Sequence, residues 1–402
     1  MAALPFAAAG AQMRSSQHRY SLMHGGLIHR LLQATGVLHS RASVALWLAG
    51  ILLVVSFGPL LVLTARDGSL WPQPPRMHLL GDYATLARVL LALPLLVIAA
   101  PRSDALLRNA FRQLTHASLV APHRQGRMDA LLGRVRRWRD GWLPETLCVI
   151  IAWSPLLFGG DHASLLPGVA DWRLDHGVLT AAGRWYEWVA VPLFRLVALL
   201  WLWRFLLWTC VLWRLPRSGL VLHAEHPDGA GGLAFLGVAQ ERFAVLALAG
   251  GLLLAGACVN HMQYLGDSLY TLRHLLVGYV VAATLLLVAP LLLLMPVLMR
   301  AKRHALYRFD ALGNRAAELF DARWQSARPQ TSATDSLLDH GDASALADFS
   351  GVYKDLAGMS VLPLNRWNLL WIALHAVLPL LPLVLLAMSV DELARKLLGI
   401  LV

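Results

Sequence analysis

The sequence predicts an all-α protein, a polytopic transmembrane helical bundle of about seven spans. Hydrophobic residues make up 57% of the 402 residues, charged residues make up 15%, and the mean hydropathy is +0.55. Soluble domains contain about 45–50% apolar and about 25% charged residues. Several apolar runs also exceed the roughly 18 residues that suffice to cross a bilayer. This composition excludes a soluble enzyme, a disordered chain and a secreted disulfide scaffold.

Seven apolar runs have lengths typical of membrane-spanning helices, which need about 20 residues at a rise of 1.5 Å per residue. They cover about 43–64, 83–100, 142–159, 184–213, 238–258, 272–299 and 367–389. The fourth run has 30 residues and must tilt or extend beyond the membrane. In the fifth run Ala247, Gly251 and Ala255 recur every four positions, which predicts a seam of close helix packing.

The runs and the polar segments between them divide the chain into six parts. These are an N-terminal segment (1–42), a first transmembrane hairpin (43–100), basic amphipathic helices (101–140), a transmembrane core (141–299), a helical region with a linker (300–365), and a last span with a terminal amphipathic helix (366–402). Apolar stripes at Leu106–Leu114 and Met128–Trp138 oppose arginines, which is typical of helices in the headgroup plane. Docking against another cytoplasmic protein is the alternative, and both interpretations stay open.

The distribution of basic residues predicts the orientation in the membrane. Of the 35 Lys and Arg, 24 lie in segments 1–42, 101–140, 214–236 and 300–366. Only 7 lie in the segments on the other side of the predicted spans, and the remaining 4 lie within the spans. Basic residues favour the cytoplasmic side. We therefore expect a multi-pass protein of the bacterial inner membrane, with a cytoplasmic N-terminus and a periplasmic C-terminus. The net charge of +11 then predicts anionic phospholipid headgroups, and no nucleic acid, as partners.

One predicted cytoplasmic loop combines possible metal ligands with a glycine-rich turn. Its candidate ligands for a divalent ion are His223, Glu225, His226 and Asp228. Alternatively, Asp228 caps the following helix while Gly229, Gly231 and Gly232 allow close backbone packing, and this interpretation is favoured. Apart from the divalent ion no cofactor is predicted, and no catalytic residue is identified.

Charged residues inside predicted spans are the second candidate site. Arg195 and Arg204 lie in the fourth run with Glu187 near its start, and Glu241 begins the fifth. Because a charge in hydrocarbon costs about 2.5–3.5 kcal/mol, each is expected to face a partner or a water-filled cavity. Nine residues separate the two arginines, which places them on opposite faces of one helix. A pathway for an ion and an internal ion pair with Glu187 or Glu241 both stay open for Arg195.

Two stretches resemble an uncharacterised family of bacterial polytopic integral membrane proteins with a cytoplasmic HPD-x-AGGL loop. They are HPDGAGGLAFLG (226–237) and ASALADFSGVYKDLAGMSVLPLNR (343–366), and the similarity covers most of 140–402. The resemblance implies a shared fold, and it singles out His226, Asp228 and the three loop glycines as residues that the family would share. It brings no assigned activity.

Three functions are compatible with these features. The favoured one is a channel or transporter for a small ion or solute, with an anion suggested by the arginines inside spans. The alternatives are a membrane scaffold or signalling subunit with a cytoplasmic partner and, third, a metal-dependent membrane enzyme. A homo-oligomer is expected.

Overall fold

The computed structural model describes residues 41–73, 75–116, 119, 120, 123, 125–157, 165–324 and 341–387. The first forty residues, most of the predicted linker and the predicted terminal helix lie outside this part of the chain. Within it the protein is a bundle of helices with one two-residue β-hairpin. The predicted all-α class is confirmed.

Ten helices make up the described part of the chain. The first four are α1 (Arg41–Arg66), α2 (Tyr83–Leu86, a π-helical turn Ala87–Ala92, and Leu93–His116), α3 (Gln125–Asp140) and α4 (Trp142–Leu157). The hairpin, β1 (Leu174–Asp175) and β2 (Val178–Leu179), pairs Leu174 with Leu179 and Asp175 with Val178. It leads into α5, which comprises Ala181–Trp185, a π-helical turn Tyr186–Ala190 and Val191–Arg214.

The second half is equally helical. It contains α6 (Ala234–Gln240, a 3-10 turn Glu241–Phe243, Ala244–Asn260 and a π-helical turn His261–Leu265), α7 (Leu269–Leu292), α8 (Met295–Trp324), α9 (Gly341–Gly358) and α10 (Arg366–Val377, a 3-10 turn Leu378–Leu380, and Leu381–Ala387). Proline explains two of the interruptions, because Pro290 lies two residues before the end of α7 and Pro379 lies within the 3-10 turn of α10.

Six helices are long and apolar enough to cross a membrane. They lie at Val44–Arg66, Tyr83–Leu114, Ala181–Ser218, Ala234–Leu265, Leu269–Leu292 and Arg366–Leu386. The third predicted span instead coincides with α4, whose described length is 16 residues. A helix of that length rises about 24 Å, less than the hydrocarbon thickness of about 30 Å. The described chain therefore contains six helices that are long and apolar enough to span a membrane, and the described part of α4 is shorter.

The basic segment 101–140 differs from the expectation. Its first stripe is the continuation of α2 through Pro101, and the second lies on the separate helix α3. Phe111 and Leu114 of the first stripe are buried in the core that also holds Leu132 and Trp208. The protein's own helices therefore cover most of both apolar faces, because the long α5 extends far enough to pack against them, while Trp138 at the end of the second stripe stays exposed.

The small residues of α6 form the predicted packing seam. A Cβ at Gly251 would meet Pro379 of α10, and one at Gly256 would meet the backbone at Tyr83 and Ala84 of α2. These approaches place α6 at the centre of the bundle, between α2 and α10. The interpretation of the repeat as a seam is confirmed.

The loops gather at two opposite ends of the bundle, which we name by their contents. The hairpin end holds residues 67–82, 165–180 and 261–268. The Asp228 end holds the loops 219–233 and 359–365 together with the helical residues 300–324 of α8. All three cysteines are free thiols, and Cys148 and Cys258 are buried.

Candidate functional site

A buried carboxylate lies where three helices meet at the hairpin end. Asp82, which is fully buried, accepts hydrogen bonds from the Thr85 backbone N–H (3.0 Å), the Asn260 side-chain amide (2.9 Å) and the Trp172 indole (3.2 Å). Asn260 in turn accepts the backbone N–H of Tyr83 at 2.8 Å. Three donors compensate for the loss of water around the Asp82 carboxylate. The group therefore joins the start of α2 and the end of α6 to the loop before α5.

Tyr186 continues this network toward the membrane-spanning part of α2. Its buried hydroxyl accepts a hydrogen bond from the Thr85 hydroxyl at 3.1 Å and another from the guanidinium of Arg88. The guanidinium carbons of Arg88 and Arg173 lie 5.8 and 6.0 Å from the centre of the Tyr186 ring, within cation–π range. No carboxylate among the described residues forms an ion pair with Arg88. Within the described chain, the charge of Arg88 is therefore balanced only by an aromatic ring and a hydroxyl.

Arg173 is the second arginine of the network and has two carboxylate partners. Its terminal nitrogens lie 3.1 Å from Asp171 and 3.2 Å from Glu187. Asp171 also accepts the backbone N–H groups of Leu165 and Arg173 at 2.8 and 2.9 Å. Glu187 is thus paired with Arg173, which directly precedes β1, and among the described residues no ion pair joins Glu187 to Arg195.

We call this set of side chains the polar cluster. Its members are Asp82, Thr85, Arg88, Asp171, Trp172, Arg173, Tyr186, Glu187 and Asn260. Every π-helical turn in the described chain either contains a member of the polar cluster or begins beside one. Arg88 lies in the first turn, Tyr186 and Glu187 lie in the second, and the third begins directly after Asn260. Turns of this kind are rare and occur frequently at functional sites. Their concentration at one end of the bundle makes the polar cluster the leading candidate site.

The remaining predicted charges of α5 lie in two different environments. Arg195 is half-buried between the exposed side chains of Trp188 and Leu202, each seven residues away on the same helical face. No hydrogen bond or ion pair to Arg195 occurs within the described residues. Arg204 lies within electrostatic reach of Asp104 and Glu145, where α2 and α4 approach α5.

Glu241 is separate from all of these residues. The polar groups that act on it are Arg242, His375 and Asn368, at the junction of α6 and α10. The four intramembrane charges singled out in the sequence therefore do not form one site. Only Glu187 belongs to the polar cluster.

The loop that contains Asp228 has a local structural role. One oxygen of Asp228 accepts the N–H groups of Ala230 and Gly232 at 2.9 and 3.0 Å, and the other accepts that of Ala234 at 3.0 Å. Ala234 is the first residue of α6, so Asp228 satisfies an unpaired donor at the helix start. Burial alone would raise the pKa of Asp228, but these donors and His226 hold it below its ordinary value. The capping interpretation is confirmed.

The proposed metal ligands do not converge. Among the described residues no group of three His, Cys, Asp or Glu side chains could hold a metal ion. Glu225 forms an ion pair with Arg308 of α8, and His226 lies 2.9 Å from an Asp228 oxygen that already accepts backbone donors. Three of the four proposed ligands, Glu225, His226 and Asp228, are thus engaged in protein contacts.

The glycines of the loop bring together the two stretches on which the family resemblance rests. Gly229, Gly231 and Gly232 have φ angles of +63°, +65° and +91°, which L side chains rarely adopt. The Gly229 carbonyl accepts the Ser360 N–H at 2.8 Å, and a Cβ at Gly231 would approach Met359. The segments 226–237 and 343–366 are therefore one packed unit at the Asp228 end.

Sequence reasoning missed most of the polar cluster. Asp82, Asp171 and Arg173 lie in short loops, and Tyr186 is one of many aromatic residues near a span. The available signals were Arg88 within the second span and Glu187 within the fourth.

Comparisons with protein-family models, curated protein sequences and solved structures give no match for this chain. The interpretation of the site rests on its chemistry.

Proposed function

We propose that the protein is a channel or transporter for a small ion or solute in the inner membrane of a bacterium, with an anion as the permeant class. The observation that carries this proposal is the environment of Arg88. This cation lies within a membrane-spanning helix, and no carboxylate of the described chain is paired with it. An ionisable residue at membrane depth is expensive and is usually functional. A small anion would supply the charge that Arg88 lacks.

The distribution of charge within the polar cluster supports this choice of permeant. The Asp82 carboxylate is fully buried and already accepts hydrogen bonds from three donors. Asp171 and Glu187 share Arg173. The cluster therefore contains no carboxylate free of polar partners that would receive a cation, whereas Arg88 offers a positive charge.

Arg195 provides a second positive charge deeper along α5. It lies eight residues beyond Glu187, which corresponds to a rise of about 12 Å along the helix. Its helix face, with Trp188, Leu202 and Leu206, is exposed in a single copy of the chain. In the proposed homo-oligomer a second copy packs on this face, which would remove Arg195 from the lipid. The proposed orientation puts the Asp228 end in the cytoplasm, on the side rich in Lys and Arg.

The test is ion flux in proteoliposomes that contain the wild type, Arg88→Gln or the control Arg184→Gln. Chloride, nitrate and phosphate are compared with sodium, potassium and protons under imposed gradients. Arg184 is exposed at the same end of the bundle, and its guanidinium contacts only the backbone of Leu179 in the described chain. We expect flux of at least one anion, reduced about tenfold by Arg88→Gln because losing about 1.4 kcal/mol of interaction corresponds to that factor.

Three results would contradict the proposal in different ways. Cation flux without anion flux would retain transport but reject the anionic permeant. An absence of flux for every ion, in a preparation that remains folded, would reject transport of these ions. An equal reduction by Arg184→Gln would remove Arg88 from the pathway.

The structure also offers an observation in favour of the scaffold alternative. Helices α8 and α9 pack together through the stacked rings of Phe309 and Phe349, whose centroids are 5.8 Å apart. Tyr307, Leu312 and Leu319 of α8 nevertheless remain exposed. Exposed apolar side chains on paired helices are typical of a surface that binds another protein. Crosslinking from these three positions in native membranes would support the alternative if it captured a defined heterologous partner, and self-contacts alone would argue against it.

A further inference from the structure

A basic cleft lies at the Asp228 end, apart from the polar cluster. It has a volume of about 610 Å³ and separates the segment 216–225 from the first turns of α8. Arg300, His304 and Arg308 occur at intervals of four residues along the α8 wall, so they share one helical face. His223 and Glu225 line the opposite wall. Arginines in such an arrangement are suited to binding phosphate through paired hydrogen bonds.

The arginines of the cleft are only partly occupied by protein acceptors. Arg300 uses its Nε–H for the carbonyl oxygen of Pro296 at 3.1 Å, and within the described chain its terminal N–H groups have no acceptor. Arg308 is paired with Glu225. With both histidines neutral, the two arginines exceed the one carboxylate by a single positive charge. The cleft therefore has unused donors and a net attraction for an anion.

The position of the cleft indicates a lipid rather than a freely dissolved ligand. Arg300 follows the end of the apolar helix α7 by eight residues, and the opposite wall follows directly after α5. At that end of α5, Arg217 stacks on Trp213 with 4.9 Å between its guanidinium carbon and the ring centre. Tryptophan and arginine are typical of the headgroup level of a membrane.

The rest of the lining is also suited to a lipid. Val297, Ala301 and Ala305 lie on the α8 side, and Leu220 and Leu222 lie on the loop side. An apolar surface below a row of basic groups matches a molecule with a phosphate and adjoining acyl chains. We propose that this cleft binds the phosphate of an anionic membrane phospholipid, with Arg300 and Arg308 as its principal donors.

The experiment measures binding of phosphatidylglycerol to the delipidated full-length protein by native mass spectrometry, with phosphatidylcholine as the reference lipid. The cleft variant is Arg300→Gln, which leaves the pair between Arg308 and Glu225 intact. The matched control is Arg303→Gln, which removes the same charge from α8 at a position outside the cleft lining, where the side chain contacts Met299. We expect about a tenfold loss of phosphatidylglycerol affinity for Arg300→Gln, the size of one charge-assisted contact, and less than about a twofold loss for the control.

A second variant distinguishes a binding role from structural damage. Glu225→Gln removes the carboxylate that competes for Arg308, so we expect it to raise phosphatidylglycerol affinity by a few-fold. Equal losses for Arg300→Gln and Arg303→Gln would overturn the proposal, since general surface charge would then account for binding. Displacement of the lipid by millimolar inorganic phosphate would overturn the lipid assignment and identify a soluble phosphate compound as the ligand. Loss of affinity in Glu225→Gln would also contradict it.

Discussion

The polar cluster and the Asp228 loop both centre on a carboxylate that accepts three hydrogen bonds, but they obtain these donors differently. Asp228 binds backbone N–H groups that lie two, four and six residues further along the chain. Asp82 instead binds side chains of Trp172 and Asn260, which are 90 and 178 residues away. The first arrangement shapes one turn, whereas the second holds separate helices together.

The difference also concerns charge. In the Asp228 loop the Asp228 carboxylate is matched by local backbone donors, and Glu225 is paired with Arg308. In the polar cluster the buried contacts leave Arg88 with a ring and a hydroxyl as its only polar partners among the described residues. The motif around Asp228, which is conspicuous in the sequence, thus has a structural role. The residues of the polar cluster, which are far apart in the sequence and form no motif, carry the unbalanced charge. Substitutions at matched positions test this contrast.

The largest effect is expected from Asp82→Ala. The change leaves three buried donors without an acceptor, each at a cost of about 1–3 kcal/mol, so we expect the free energy of unfolding to fall by on the order of 4 kcal/mol. Thermal unfolding in detergent, followed by tryptophan fluorescence, measures this effect. Asp67→Ala removes an exposed carboxylate at the same end and should change stability by less than about 0.5 kcal/mol. Equal stabilities of the two variants would remove the distinction between a long-range cluster and a surface loop.

The second prediction tests the tertiary contact of the Asp228 end. A Cβ at Gly237 would collide with the carbonyl oxygen of Pro363, whereas a Cβ at Gly278 meets nothing within 4 Å. We expect Gly237→Ala to destabilise the protein by about 2 kcal/mol through overpacking against backbone. Gly278→Ala should be neutral or stabilise by up to about 1 kcal/mol, because alanine favours a helix. Thermal unfolding of the two variants gives the comparison, and a stable Gly237→Ala would contradict the close approach of segments 226–237 and 343–366.

The third prediction concerns the local carboxylate itself. Asp228→Ala should cost about 1.5 kcal/mol, at the upper part of the range for a lost helix cap. The exposed residue Asp355 provides the control, since Asp355→Ala removes the same charge from α9. If Asp228→Ala were as costly as Asp82→Ala, the distinction between local and long-range carboxylates would fail.

The pH dependence of Asp228 sharpens the same test. Because its pKa is lowered in the folded protein, its contribution to stability is fully present above the ordinary aspartate value of about 3.9. The contribution is lost as the pH falls through the lowered value. The stability difference between the wild type and Asp228→Ala should therefore be constant near neutral pH and become smaller in acid. A difference that grows on acidification would contradict the sign of the pKa shift.

These comparisons also explain what could be predicted from the sequence. Hydropathy predicts membrane-spanning helices because crossing a bilayer requires an apolar run of a minimum length. The spacing of Ala247, Gly251 and Ala255 predicts a packing seam because close helix packing depends on residues that are near one another in the sequence. The role of Asp228 was accessible for the same reason, since all three of its backbone donors follow within six residues.

The polar cluster was not accessible in this way. Asp82 and Tyr186 gain their significance only when α2, α5 and α6 are placed beside one another. A π-helical turn within a short apolar stretch produces no distinct pattern of hydrophobic residues in the sequence.

The smallest effect is expected at Ser268, the N-cap of α7. Its hydroxyl accepts the Thr271 N–H at 3.2 Å in an exposed position, so water can replace this contact when Ser268→Ala removes it. We expect a loss of about 0.5–1 kcal/mol in thermal unfolding, while Ser268→Asp should retain the wild-type stability because aspartate also caps helices. Both Ser268 and Asp228 act on nearby backbone donors, but the Asp228 oxygens are part-buried and serve three N–H groups. A cost at Ser268 as large as that at Asp228 would mean that sequence proximity, rather than burial and the number of donors, determines the value of a cap.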